Sequence, residues 1–188
     1  MSYVIRRKAL WHLFLLGLLL LAIVASATTL ERLSFDDLAE KATAIVRVRC
    51  LHTSSVWRNG EIWTDTEFEV LERSKGTVPE ILHISLPGGK VAHIQSRVDG
   101  VPNFRETEEA YLFLWNAPGK EPRILGWAQG TFRLSQDHKT GMQLVTQDSA
   151  TIPVFDPATK QFRQSGVRNL PLIAFQLKLK RALEKEQP

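Results

Sequence analysis

Ala44-Ile45-Val46-Arg47-Val48-Arg49-Cys50 decides the fold class. Val46, Val48 and Cys50 alternate with Arg47 and Arg49, the period of two that sets one face of a strand on a core and the other in water. The same period returns downstream, with Thr64, Thr66, Phe68 and Val70 on one face and Asp65, Glu67 and Glu69 on the other. Between them, Asn59-Gly60 separates Ser55-Val56-Trp57 from Ile62-Trp63-Thr64, and Asn-Gly is the preferred pair for a two-residue hairpin turn. Lys75-Gly76 ends the long strand, and residues 81–86 form another, closed by Pro87-Gly88-Gly89.

The stretch 110–115 is apolar on both faces and reads as the central, most buried strand. Shorter strands are expected at 91–98, 124–127, 131–134 and 142–146, with Val154-Phe155 pairing with Gln161-Phe162-Arg163. A helix is expected at each end. In residues 30–42, Ser34 and Asp37 have the spacing of a capping box, and Phe35, Leu38, Ala39 and Ala42 share one face. Near the C-terminus, Asn169 is placed to cap a helix with Pro171 in its first turn and Leu172, Phe175, Leu179 and Ala182 as its apolar stripe. No internal repeat and no linker interrupts the pattern. The chain therefore reads as mainly β, one domain of many short strands between two helices.

Residues 1–27 read as a secretory signal peptide. Arg6, Arg7 and Lys8 form a basic head, residues 10–24 an apolar run broken only by His12 and Gly17, and Ala25-Ser26-Ala27 a small-x-small cleavage site. The alternative is an uncleaved membrane anchor, which needs about 20 apolar residues; the Ala-Ser-Ala ending suits a peptidase better. The working protein, residues 28–188, is expected outside the cytoplasm, periplasmic or extracellular. The full chain of 188 residues carries 24 basic and 20 acidic residues. Without Arg6, Arg7 and Lys8, 21 basic residues face 20 acidic ones, so the basic balance belongs to the leader and is no nucleic-acid footprint. Cys50 is the only cysteine, so no internal disulfide forms, and its side of the strand places it with Val46 and Val48 in a core.

The order of these segments resembles the netrin-like and tissue-inhibitor-of-metalloproteinase type of OB barrel. The likeness covers residues 40–116. It lies in residues 44–49 as first strand, the second strand ending Phe68-Glu69-Val70-Leu71-Glu72-Arg73-Ser74-Lys75-Gly76, a third strand closed by a Gly-bearing loop, and Phe104 with an acidic stretch leading into Tyr111-Leu112-Phe113-Leu114. The chain is also similar to uncharacterised secreted bacterial proteins that share the Pro-Gly-Gly loop and the Leu-Phe-Leu strand. The resemblance implies an OB-like, Greek-key barrel with an N-terminal and a C-terminal helix. It does not imply protease inhibition. Inhibitors of that family begin with a Cys whose amino group and carbonyl bind the protease zinc, and several disulfides hold them; here the mature chain would begin at Thr28 and has no disulfide. Only the fold carries over, and fold does not imply function.

No motif announces chemistry. The histidines of the mature chain, His52, His83, His93 and His138, form no H-E-x-x-H, there is no Cys-x-x-Cys, and no Ser lies in G-x-S-x-G. No metal and no cofactor is expected. His83 and His93 flank the Pro-Gly-Gly turn, but two histidines alone are not a metal site. Asp65, Glu67 and Glu69 read as a solvated strand face and not as an acid–base pair. What remains is a binding surface. Pro87, Gly88, Gly89, Lys90, His93, Arg97, Phe104 and Arg105 lie in the longest loop-rich stretch, where a rigid scaffold usually carries recognition. The expected function is a non-enzymatic binding or accessory module contacting another protein, with no nucleic acid, and with the membrane touched only through an uncleaved leader. The alternatives are an envelope-associated hydrolase and a carbohydrate- or cell-wall-binding module, the latter marked by a planar row of exposed Trp57, Trp63 and Trp127.

Overall fold

In a computed structural model, residues 32–116, 119 and 121–185 are described. The expected signal peptide, residues 1–27, lies outside them. The first helix, α1 (Phe35–Lys41), begins where the sequence places it. Ser34 Oγ accepts the Asp37 N–H at 3.0 Å and Asp37 Oδ2 accepts the Ser34 N–H at 2.9 Å, closing the capping box. The hydrogen bonds from Ser34 hold the Asp37 carboxyl below its ordinary pKa. At the other end, Lys75 Nζ donates to the Ala39 and Glu40 carbonyls at 2.8 and 3.1 Å, a cation at the negative end of a helix.

Strands β1 (Ala44–Arg58) and β2 (Glu61–Lys75) form one long hairpin. Asn59 and Gly60 both take positive φ, 53° and 83°, as a two-residue turn between paired Arg58 and Glu61 requires. Strand β1 runs without interruption from Ala44 to Arg58, and register shifts such as that between Cys50 and His52 bend it. Then follow β3 (Ile81–Pro87), the small hairpin β4 (Gly89–Val91) and β5 (Ile94–Ser96), and β6 (Glu109–Trp115). After β6 come β7 (Arg123–Ile124), β8 (Thr131–Gln136), β9 (Gln143–Gln147), the pair β10 (Val154–Asp156) and β11 (Gln161–Arg163), β12 (Leu170–Pro171) and α2 (Leu172–Glu184). Three expectations are corrected. The single strand expected at 91–98 is instead the β4–β5 hairpin, turned at Ala92, whose φ is 52°. The strand expected at 124–127 stops at Ile124, because Gly126 and Trp127 both take positive φ and lead into a 3₁₀ turn. Asn169 does not cap α2: Pro171 holds that position, and Asn169 is tied to β9, its N–H donating to Thr146 Oγ1 and its Oδ1 accepting from that hydroxyl.

The main sheet is antiparallel throughout, in the order β12-β9-β8-β6-β1-β2-β3, with β7 beside β6. No sheet among the described residues closes on itself. Strand β6 is buried on both faces, and β1 is so only at its start, around Ala44–Val46. Val46, Val48, Cys50, Ala110, Leu112 and Leu114 face a core with Phe68, Leu82, Ile84, Phe104 and Ile124. Ile45, Tyr111 and Phe113 face a second core with Phe132 and the two helices. There Phe35 of α1 meets Phe113, Phe132 and Phe175 edge-on at 5.7–5.8 Å, geometry that favours aromatic pairs.

Candidate functional site

A cleft of about 680 Å³ lies between the β3 end of the sheet, the loop 95–105 and the β8–β9 side. Six of the eight residues singled out in the sequence line it: Pro87, Gly88, Gly89, Arg97, Phe104 and Arg105. Lys90 and His93 do not; Lys90 lies in β4, and His93 sits in the β4–β5 turn beside Ala92, whose φ is 52°.

The glycine turn is built for close approach. Gly89 takes φ 133°, and a Cβ there would run into Thr64 Oγ1 and Ser55 Oγ. Thr64 Oγ1 donates to the Gly88 carbonyl at 2.7 Å and lies 2.9 Å from Ser55 Oγ. The turn is thus pinned to β1 and β2.

Arg133 of β8 anchors the opposite wall. Its guanidinium donates to Asp148 at 2.7 and 2.9 Å, to Glu108 at 2.6 Å and to the Asn103 carbonyl at 2.6 Å. It also lies 4.9 Å from the Phe104 ring centroid, a cation–π contact. Burial opposes the Arg133 charge, but the Asp148 and Glu108 bonds hold it on. Burial also pushes the Asp148 carboxyl above its ordinary value, against the pull of Arg133. Two of the three acids that line the cleft, Glu108 and Asp148, are therefore tied to one cation; the third, Asp99, is exposed. Arg97 and Arg105 are exposed and have no ion-pair partner among the described residues. On the floor, Thr66 Oγ1 is buried without a hydrogen-bond partner among the described residues.

Phe104 is 8% exposed and meets Phe68 edge-on at 4.9 Å, so it plugs the core and is no exposed anchor. Cys50 is buried as expected, and burial pushes its thiol up to about 11, the opposite of an activated nucleophile. Asp65 is held below its ordinary value by the Ser85 hydroxyl and Arg58; Glu69 pairs with Arg49. Among the described residues no group of three or more His, Cys, Asp or Glu side chains is arranged to hold a metal ion, and no helix is long and apolar enough to cross a membrane. The tryptophan row does not form: Trp57 pairs with Ile62 and Trp63 with Val56, so neighbouring registers send the two indoles to opposite faces.

Sequence reasoning missed Arg133, Glu108, Asp148 and Thr66. Arg133 alternates with buried Phe132 as any wet-face residue would, and its acids lie 25 and 15 residues away. No spacing rule links them. No protein family, no curated protein and no solved structure matches the chain.

Proposed function

We propose that the chain is an exported, non-enzymatic binding module that holds a segment of another protein in the cleft under residues 87–105. The observation that carries this reading is the division of labour among the cleft's arginines. Arg133 fixes the walls, while Arg97 and Arg105 stand at the rim unpaired among the described residues. A rigid cleft with free guanidiniums suits recognition of carboxylates and backbone carbonyls. The buried Thr66 hydroxyl supports the same reading, since a bound polar group would satisfy it. Because Glu108 and Asp148 are both committed to Arg133, the exposed Asp99 is the one acid of the cleft without an ion-pair partner among the described residues. A pair of free carboxylates for acid–base work is lacking, which favours binding over hydrolysis.

The fold proposed for this module is an OB-like barrel left open at one seam. The ring β1-β2-β3, then β7-β6 and back to β1, lacks hydrogen bonds only between β3 and β7. The signal peptide is taken to be removed before Thr28.

The test is affinity capture from the protein's own cell envelope with tagged wild type and an Arg97→Ala/Arg105→Ala variant, read by mass spectrometry. A protein captured by the wild type and lost with the variant supports the proposal. The same captured set from both would overturn it.

A further inference from the structure

The seam between β3 and β7 carries a second site. Gly88 N–H reaches the Ile62 carbonyl and Val70 N–H the Glu80 carbonyl. In that register the even-numbered residues of β3 bond to β2, and Ile81, His83 and Ser85 turn their backbone groups to the open margin. No extended peptide fits there. Cα atoms of β3 and β7 come within 8 Å, whereas an inserted strand needs two spacings of about 4.8 Å each.

At the Pro87 end of β3 the margin widens into a pocket of about 450 Å³, with Trp63 and Trp127 on its walls. Trp127 takes φ 50° directly after Gly126 at 59°. A bulky residue in that region is strained, and such strain clusters at functional sites. Arg58 lies 6.0 Å from the Trp63 ring centroid and is locked by Asp65 at 2.8 and 3.0 Å. Arg123 and Glu121 also line the pocket and have no ion-pair partner among the described residues. The pocket thus offers two indoles, one free donor group and one free acceptor group, with no net charge from that pair.

We infer that this pocket is a subsite for one ring of a neutral oligosaccharide. An indole covers the apolar C–H face of a pyranose, while Arg123 and Glu121 meet its hydroxyls as donor and acceptor. A charged ligand would leave one of the two opposed. This site is separate from the cleft and does not depend on the protein-binding proposal.

The test is tryptophan fluorescence of the exported chain titrated with cellotetraose, maltotetraose and chitotetraose, with decaproline as the competing class. A saturable change is expected with at least one tetrasaccharide. Trp127→Ala should weaken it by about tenfold or more, the worth of one stacking contact. Arg123→Ala, at an exposed position that leaves folding intact, should weaken it as well, and Trp57→Phe should not. No saturable change with any tetrasaccharide, a response unaltered by both Trp127→Ala and Arg123→Ala, or saturation by decaproline alone would overturn the inference.

Discussion

Truncating Phe104 to Ala separates folding from the binding proposed for the loop 95–105. The ring is 8% exposed, edge-on to Phe68 at 4.9 Å and 89°, and covered by the Arg133 guanidinium at 4.9 Å. Removing a buried Phe costs about 3–5 kcal/mol. Within that total the aromatic pair contributes about 0.5–1.5 kcal/mol and the cation–π contact about 0.5–2 kcal/mol. Phe104 sits where the core meets the cleft, so water can enter the space it leaves, and the lower end, about 3 kcal/mol, is expected. In a domain of this size that lowers the Tm by about 6–12 °C. Arg105, the next residue, is exposed, and Arg105→Ala should stay within about 0.5 kcal/mol of wild type. Urea denaturation of both variants gives the energies, and envelope capture gives the binding. Phe104→Ala should move the first measurement, and Arg105→Ala the second. A Phe104→Ala protein within about 1 kcal/mol of wild type would refute the assignment of this ring to the core.

Arg133→Met should cost about 3 kcal/mol or more, because Glu108 and Asp148 would be left facing one another without their cation. Adding Asp148→Leu should restore part of the loss, and equilibrium urea unfolding of the single and double variants checks it. Gly89→Ala should destabilise by about 1–3 kcal/mol and by more than Gly60→Ala, whose Cβ would meet nothing within 4 Å; thermal melts compare the two. The Cys50 thiol titrates at about 11 in the fold against 9.0 unperturbed. As pH rises from 9 toward 11, the unfolded chain loses that proton first, so stability falls across this window. Stability curves at stepped alkaline pH should therefore show a steeper decline in wild type than in Cys50→Ala.

What the sequence makes legible is local. The capping box at Ser34 and Asp37, the Asn59-Gly60 turn and the double-faced burial of 110–115 each depend on neighbours within a few residues or on side-chain period. The rest depends on distant partners. Only the pairing of Arg47 with Tyr111 and of Val48 with Ala110 reveals which strand lies beside β1. The cleft was half legible. A Gly-Gly turn and scattered cations mark a loop, but the wall built by Arg133 joins residues from three separate segments. The same holds at α2, where Asn169 looks like a cap until Thr146, 23 residues earlier, claims both its amide and its side chain.

The double burial of β6 and of the start of β1 has a kinetic consequence. Ala44 pairs with Leu114, a contact between positions far apart in sequence, so a large loop must close before the two hydrophobic layers can form. Neither layer is then a unit that opens alone, since parting β1 from β6 dismantles both. Amide exchange at Val46, Val48, Leu112 and Phe113 should proceed only through global unfolding, as one cooperative block, while the β4–β5 and β10–β11 hairpins, which pair outside the main sheet, exchange through local fraying.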